Sequence, residues 1–210
     1  MPDRDNPLVR FDQEKSGPGE CLLAGVDEAG RGCWAGPVVA AAVVLPPTWC
    51  PSGLDDSKKL TAAKRRDLYE EIRASAVTWS ACAISSVEID RTDILRASLQ
   101  AMARAVARLQ PVPDLVLADG LQIPPCSQPA EAVVRGDGTS AAIAAASVIA
   151  KVLRDRIMIA YDRHYPGYGF ADHKGYGAAV HREALQRLGP CPLHRFSYKP
   201  VAELDQGRLF

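Results

Sequence analysis

The fold is decided by residues 25–45, GVDEAGRGCWAGPVVAAAVVL, in which a glycine-rich segment separates two apolar runs. The run over residues 21–26 (CLLAGV) and the run over residues 37–45 (PVVAAAVVL) have the length and composition of buried strands. The segment between them is rich in glycine, which allows the chain to turn tightly. This stretch therefore predicts two strands joined as a β-hairpin.

The chain on the C-terminal side of the hairpin alternates between strand-like and helix-like segments. Further strands are predicted over residues 77–85, 114–118 and from 132 to 134. Helices are predicted over residues 61–76, from Ile94 along an apolar stripe to Leu109, over residues 140–161 and over residues 178–188. This order predicts an α/β or α+β domain, with a mixed β-sheet flanked by helices and a helical C-terminal extension.

Composition excludes several classes of protein. The 210 residues are 47% hydrophobic and 24% charged, which excludes a collagen, a coiled coil and a disordered chain. Basic and acidic side chains number 25 each, but residues 151–210 hold 10 basic and 6 acidic side chains and all four histidines. A basic C-terminal part suits contact with phosphates, although a difference of this size also arises by chance.

The sequence predicts a flexible arm over residues 1–20 and a single domain over residues 21–210. The N-terminal residues lack the apolar core of a signal peptide, and no apolar run approaches the roughly 20 residues of a membrane helix. The six cysteines form no C-x-x-C pair, so we expect reduced thiols in a cytoplasmic protein without a structural zinc.

Four carboxylates stand at the ends of predicted strands. Asp27 and Glu28 end the first strand, Asp119 ends the fourth and Asp137 follows the fifth. If they meet, a divalent cation such as Mg²⁺ or Mn²⁺ would relieve their mutual repulsion, and two such ions catalyse phosphodiester cleavage. Neighbouring side chains of a strand point to opposite faces, so Asp27 and Glu28 share one ion only if the backbone bends. Taken singly, each carboxylate also fits an ordinary turn or strand end.

Three further motifs have both a functional and an ordinary interpretation. The Gly30-Arg31-Gly32 turn exposes backbone to a ligand and offers Arg31 to phosphate, or is a simple hairpin turn. Lys58 in DSKKLT meets a phosphate or is solvated. Tyr176 in HKGY stacks on a sugar or base, or belongs to a small apolar cluster. The histidines show no spacing typical of a seryl or cysteinyl triad.

As a set, these residues resemble bacterial ribonuclease HII. The similarity extends from about residue 21 to about residue 202. It is carried by residues 25–45, DSKKLT (56–61), LADG (117–120), VVRGD (133–137), AAASVIAKVLRDRIM (144–158) and YGFADHKGYG (168–177).

The resemblance implies an RNase H-like fold and a metal-dependent ribonuclease H. It implies endonucleolytic cleavage of RNA in RNA–DNA hybrids and incision 5′ of single ribonucleotides in duplex DNA, leaving 3′-hydroxyl and 5′-phosphate ends. The implied metal ligands and catalytic residues are Asp27, Glu28, Asp119 and Asp137, which hold Mg²⁺ or Mn²⁺ for a two-metal mechanism. The implied substrate-binding residues are Gly30, Arg31, Gly32, Lys58 and Tyr176. We expect the protein to be a monomer.

Two positions depart from the family pattern. Ala144 lacks the hydroxyl that is common at the start of its helix motif, and Asp93 stands where Asn is common. Two alternatives remain at this point. One is another nuclease of the superfamily, such as a DNA-junction resolvase, against which the GRG and HKGY motifs argue. The other is a hybrid-binding module without catalysis, against which the four carboxylates argue.

Overall fold

A five-stranded mixed sheet forms the centre of the protein in a computed structural model that describes residues 6–19 and 21–206. Its strands are β1 (Leu23–Ala29), β2 (Val38–Val44), β3 (Thr78–Ile84), β4 (Leu115–Asp119) and β5 (Ala130–Val133), in the order β3-β2-β1-β4-β5. Strands β1, β2 and β3 pair antiparallel, whereas β4 is parallel to β1 and β5 is parallel to β4. The predicted hairpin and the mixed sheet are both confirmed.

Eight helices accompany the sheet within the described residues. They are α1 (Pro7–Ser16), α2 (Ala62–Ser75), α3 (Ser86–Arg91), α4 (Ile94–Val106), α5 (Ala141–His164), α6 (Phe170–His173), α7 (Ala179–Leu188) and α8 (Lys199–Gln206). A single 3₁₀ turn occupies Gly136–Gly138. The four predicted helices correspond to α2, α4, α5 and α7. Helices α3 and α6 are too short to produce a helical period in the sequence.

Both faces of the sheet are covered. Val26, Ala40 and other residues of one face pack against α4 in one buried apolar cluster. Ala41 and Val43, from the opposite face of β2, pack against α2 and α5 in a second cluster. Because strand residues alternate between faces, a central strand covered on both sides is apolar throughout, as the fully buried β2 is.

Helix α5 approaches β1 at backbone contact distance. A Cβ atom added to Gly25 would lie 2.1 Å from the carbonyl carbon of Ala142 and 2.2 Å from the nitrogen of Ile143. Only glycine fits at this crossing. The first turns of α5 are accordingly small, with Ala144 and its two following alanines completely buried. The close approach fixes the start of α5 above β1.

The N-terminal segment differs from expectation. The sequence predicts a flexible arm over residues 1–20, whereas residues Pro7–Ser16 form α1, which begins at the N-cap Asn6. Helix α1 is docked by Asp12, whose carboxylate accepts a hydrogen bond of 2.9 Å from the backbone nitrogen of Ala142 in the first turn of α5. Residues 1–5 and 20 lie outside the described residues, and the division of the chain at residue 20 stays a prediction.

The C-terminal part forms a smaller apolar cluster beside the end of the hairpin. Ala35, Met158, Phe170 and Leu193 are among its buried members. This cluster joins the end of α5 to α6, α7 and the segment after the GRG turn. Among the described helices, none is long and apolar enough to cross a membrane.

We predict that Asp12→Asn changes the pH dependence of stability. Burial raises the pKa of Asp12 from 3.8 to about 6, so the folded protein holds a proton that the unfolded chain has lost between these pH values. The wild type therefore loses stability as the pH rises through this range. The asparagine side chain has no such proton, so the variant should gain up to about 3 kcal/mol relative to wild type between pH 4 and pH 7.

Urea unfolding of both proteins at pH 4 and pH 7 measures this change. The other carboxyls titrate in both proteins and cancel in the comparison. A difference in unfolding free energy that is the same at both pH values would contradict the prediction.

Candidate active site

Three aspartates converge at one edge of the sheet. Asp27 lies near the end of β1, Asp119 is the last residue of β4, and Asp137 lies in the 3₁₀ turn after β5. One carboxylate oxygen from each lies within 4.8 Å of the others. The parallel pairing of β1 with β4 and of β4 with β5 explains this, since the carboxyl ends of parallel strands meet at the same edge.

The electrostatics of this group suit a divalent cation. Burial, followed by the charges of Glu28 and Asp119, raises the pKa of Asp27 well above its ordinary value. Burial and the charge of Asp137 raise the pKa of Asp119. Carboxylate oxygens are the ligands that Mg²⁺ and Mn²⁺ prefer. A bound cation would also offset the mutual repulsion of the three carboxylates. The donor set therefore fits the metal that the sequence predicts.

Glu28 lies beside the three aspartates rather than within their group. The register of β1 on β2 continues unbroken through Asp27, Glu28 and Ala29, so the backbone bend that a shared ion would require is absent and the two acidic side chains face opposite ways. The Glu28 carboxylate lies 3.4 Å from the Arg31 guanidinium. Burial raises the pKa of Glu28, with opposing contributions from Arg31 and Asp119. Glu28 therefore interacts electrostatically with the group, through both Asp27 and Asp119.

The turn that carries Asp137 is held by Asp119 itself. The Asp119 carboxylate accepts a 2.7 Å hydrogen bond from the backbone nitrogen of Gly136. A Cβ on Gly136 would lie 2.5 Å from the Cδ1 atom of Ile143, so any larger residue would require this side chain to shift. Arg135, immediately before the turn, adopts a left-handed conformation with φ of 56°. The loop between β5 and α5 therefore has little freedom, and Asp137 has a defined position.

Lys58 reaches the aspartate group from the loop before α2. Its ammonium group donates to the Asp137 carboxylate at 3.0 Å and lies 3.7 Å from Asp56. Burial alone would lower the pKa of Lys58, but the hydrogen bond and charge of Asp137 reverse this and raise it. The lysine remains largely exposed, so it faces both the carboxylates and the solvent.

Two serines behind Asp27 were missed by sequence reasoning. Ser147 of α5 hydrogen-bonds the Asp27 carboxylate, and the Ser147 and Ser57 hydroxyls are 2.7 Å apart and buried. They belong to the AAASVIAK and DSKKLT motifs, which are 90 residues apart in the chain. Each motif contains a serine that could have been singled out, but the spacing of residues along the chain does not show that the two serines are in contact.

The GRG turn and Tyr176 lie next to each other, and Arg31, Gly32 and Tyr176 are exposed. Gly30 has φ of 102°, and a Cβ on it would lie 2.0 Å from the Arg154 side chain, so this position needs glycine. Tyr176 is 43% exposed, and its hydroxyl is hydrogen-bonded to the Cys33 thiol, just after the GRG turn. This contact links the two features directly.

Tyr176 also borders a basic groove. The groove has a volume of about 440 Å³, and the charged side chains lining it are Arg65, Arg66, Lys151, Arg156, Lys174, Asp155 and Asp172. Five cationic and two anionic groups give it a net positive charge. The Tyr176 ring lies 5.6 Å from the Lys151 ammonium group, measured to the ring centroid. Such a groove suits a polyanion.

The histidines form a structural cluster. His181 and His194 are completely buried, and their Nε2 atoms are 3.0 Å apart. Nδ1 of His194 accepts from the backbone nitrogen of Cys191, so its Nε2–H donates to His181, whose Nδ1–H donates to the Tyr176 carbonyl. Burial lowers the pKa of both rings to about 4, which leaves them neutral at pH 7. The Nδ1–H of His181 therefore holds the Tyr176 carbonyl, and the Nε2–H of His194 orients the His181 ring.

The two departures from the family pattern have simple environments. Ala144 is completely buried in the apolar cluster under α5, so the absence of a hydroxyl at this position affects the packing of the core. Asp93 is the N-cap of α4, where its carboxylate accepts a 2.8 Å hydrogen bond from the backbone nitrogen of Arg96. Asn caps a helix equally well.

Solved structures share this fold. The ribonuclease H2 of Pyrococcus horikoshii OT3 superposes with a TM-score of 0.75 at 23% identity, covering 88% of this chain and 97% of that one. Bst-RNase HIII, solved in complex with Mn²⁺, superposes with a TM-score of 0.74 at 17% identity, covering 90% of this chain and 72% of that one. The fold is that of the ribonucleases H, as the sequence predicts.

Sequence comparison gives the family within this class. The model of the ribonuclease HII family matches residues 24–201. The curated ribonuclease HII of Syntrophotalea carbinolica is 50% identical over 203 residues, covering 97% of each chain, and that of Geobacillus kaustophilus is 51% identical over 197 residues, covering 94% of this chain and 75% of the relative. The chain belongs to the ribonuclease HII family. It is a ribonuclease H, and this membership supports endoribonuclease activity on RNA–DNA hybrids.

We predict that Asp119→Asn lowers cleavage of an RNA–DNA hybrid by about a hundredfold or more, because it removes one charge from the aspartate group while keeping the side-chain size. Calorimetric titration with Mn²⁺ should show weaker binding, whereas binding of the hybrid should be largely kept. Asp93→Asn is the matched control, since it makes the same chemical change at a helix cap. Wild-type turnover by Asp119→Asn would remove this residue from the metal site.

Proposed function

We propose that this enzyme cleaves RNA endonucleolytically in RNA–DNA hybrids and also incises 5′ of single ribonucleotides in duplex DNA. The products would be a 3′-hydroxyl and a 5′-phosphate. The observation that carries the proposal is the adjacency of two features. The group of Asp27, Asp119 and Asp137 lies beside the Gly30–Gly32 turn, of which Arg31 and Gly32 are exposed, and the contact between Glu28 and Arg31 connects this turn to the acidic residues.

The carboxylates would hold divalent cations. Asp27, Asp119 and Asp137 are the ligands we assign to one ion. We assign Glu28 as the fourth acidic ligand of the metal site, where it borders the same cavity as Asp119. Bound Mg²⁺ or Mn²⁺ would supply an activated water and stabilise the charge that develops on the scissile phosphate and the leaving oxygen. Ser147 fixes the Asp27 side chain, and the bond from Gly136 fixes that of Asp119.

Lys58 would act at the phosphate. Its exposed ammonium group already lies 3.0 Å from Asp137, so a phosphate that approaches the aspartates also approaches this cation. We therefore assign to Lys58 the neutralisation of substrate charge beside Asp137. The basic groove next to Tyr176 would hold the duplex backbone farther away.

Recognition of a ribonucleotide requires contact with its 2′-hydroxyl, the group that distinguishes RNA from DNA at one nucleotide. The exposed backbone of Arg31 and Gly32, which follows the buried Gly30, is suited to approach it closely. Tyr176 would lay its ring against the neighbouring deoxyribose, where a second 2′-hydroxyl would crowd it. The contact of Tyr176 with Cys33 keeps these two elements at a fixed spacing.

We also propose that residues 21–210 form one catalytic domain that acts as a monomer in the cytoplasm. All six cysteines are free thiols, which suits a reducing compartment. Helix α5 contributes Val152 to the apolar cluster on the sheet and Met158 to the C-terminal cluster, and this shared helix supports a single domain.

We predict that EDTA abolishes cleavage and that Mg²⁺ or Mn²⁺ restores it. Ca²⁺ should bind but support little turnover, because its larger and looser coordination shell positions water poorly. Cleavage of a labelled hybrid in each ion measures this, and binding of the same hybrid in Ca²⁺ shows that the substrate site is intact. Full activity in EDTA would exclude catalysis by metal ions.

We predict that Tyr176→Ala lowers cleavage at a single ribonucleotide more than cleavage of a long RNA–DNA hybrid, which offers many registers. Lost stacking is worth roughly 1–3 kcal/mol, or about tenfold to a hundredfold in rate. The measurement is kcat/KM on both substrates at one salt concentration. Tyr176→Phe, which keeps the ring, serves as the control. An equal loss on both substrates would make Tyr176 a structural residue of its loop.

A further inference from the structure

Arg195 is a buried cation that the proposed chemistry does not use. It lies between α7 and α8, is completely inaccessible to solvent, and has no carboxylate oxygen within 4.0 Å among the described residues. Its guanidinium donates instead to backbone carbonyls, at 2.7 Å to Gly30, 2.8 Å to Arg31, and 3.0 and 3.1 Å to Gly36. A buried cation without an anionic partner is costly, so these carbonyl contacts need an explanation.

Tyr198 adds a second donor to the same turn. Its hydroxyl donates to the Arg31 carbonyl at 2.6 Å and accepts from the Arg195 guanidinium at 2.9 Å. The Arg31 carbonyl is therefore held by two donors, and each donor is oriented by the other. Because the two donors come from residues 195 and 198, a segment more than 160 residues away fixes the GRG turn.

The carbonyl contacts also decide where the amide groups of the turn point. The peptide bonds after Gly30 and Arg31 are trans. In a trans peptide the C=O of one residue and the N–H of the next point in opposite directions. With the carbonyls of Gly30 and Arg31 turned inward to Arg195, the N–H groups of Arg31 and Gly32 are turned outward. Both residues are exposed, and neither N–H has an acceptor among the described residues.

We propose that Arg195, together with Tyr198, is a positioning residue that aims the N–H groups of Arg31 and Gly32 at the 2′-hydroxyl of the ribonucleotide. The inference rests on the proposed function, since it assigns the source of ribonucleotide recognition. Arg195 touches neither the substrate nor the aspartates. It acts by fixing two peptide planes, so that two donors are already oriented before the substrate binds.

A role in recognition and a merely structural role make different predictions. If Arg195 only anchors a loop, its replacement lowers stability and affects all duplexes alike. If it aims the amide groups, its replacement lowers the preference for a ribonucleotide over a deoxyribonucleotide at one position. This preference is a ratio of two affinities of the same protein, so a loss of active protein cancels from it.

The experiment measures equilibrium binding of two labelled duplexes in Ca²⁺. One duplex is all DNA, and the other has the same sequence with one ribonucleotide. We expect wild type to prefer the second duplex, and Arg195→Lys, which keeps the charge but loses the fork of donors, to lower this preference about tenfold. Mn²⁺ affinity should be unchanged, because the aspartates are not contacted by Arg195.

If Arg195→Lys does not fold, Tyr198→Phe provides a second test. This variant loses only one hydroxyl from a partly exposed ring, so we expect it to fold. We expect it to lower the preference about threefold. Tyr168→Phe is the matched control, since it also removes a tyrosine hydroxyl bonded at 2.6 Å to a carbonyl, that of Gly189. Its preference should equal that of wild type.

The outcomes separate the two proposals. Wild-type preference in folded Arg195→Lys and Tyr198→Phe would overturn the positioning role while leaving the proposed function in place. A wild type that binds both duplexes equally would refute recognition of single ribonucleotides, and the positioning role would fail with it. A reduced preference in Tyr168→Phe equal to that in Tyr198→Phe would also overturn the positioning role, since the effect would then be general.

Discussion

Helix α5 lies directly on strand β1, because Gly25 has no side chain to hold the two backbones apart. The rest of the site depends on this contact. It places the first turn of α5 beside Asp27, so that Asp137, four residues before the helix, can approach the same point. It also brings Ser147, in the second turn of the helix, to the Asp27 carboxylate. One missing methyl group thus determines the geometry of the aspartates.

The buried acidic and basic side chains have different environments: the aspartates lie close together, whereas the buried arginines are bonded to backbone carbonyls. The three aspartates are crowded together with raised pKa values at Asp27 and Asp119, a cost that a bound cation relieves. The two completely buried arginines, Arg154 and Arg195, are kept apart from these carboxylates and donate to backbone carbonyls. Their positive charge is used to fix the loops, and the lysine that reaches the aspartates is the exposed Lys58.

The sequence predicts what depends on local pattern. The hairpin, the stripe of α4 and the alanine-rich α5 follow from periodicity and composition, and the convergence of Asp27, Asp119 and Asp137 follows from their places at strand ends. Sequence reasoning fails where long-range contacts decide. Asp12 holds α1 against α5 across 130 residues, a contact that the prediction of a flexible arm does not contain. Whether the backbone bends between Asp27 and Glu28 could not be predicted from the sequence either. The sheet register continues through both residues because they pair with β2.

The positions of the two recognition elements were beyond sequence reasoning for a further reason. A carbonyl oxygen has no sequence signature, and both elements are held through their carbonyls. Arg195 holds those of Gly30 and Arg31, and the His181–His194 pair holds that of Tyr176. Because both supports come from the segment after residue 180, the C-terminal extension acts as a common frame for the GRG turn and for Tyr176. The frame leaves the exposed N–H groups and the tyrosine ring unobstructed, so rigidity is supplied from behind while the surface that meets the duplex stays open.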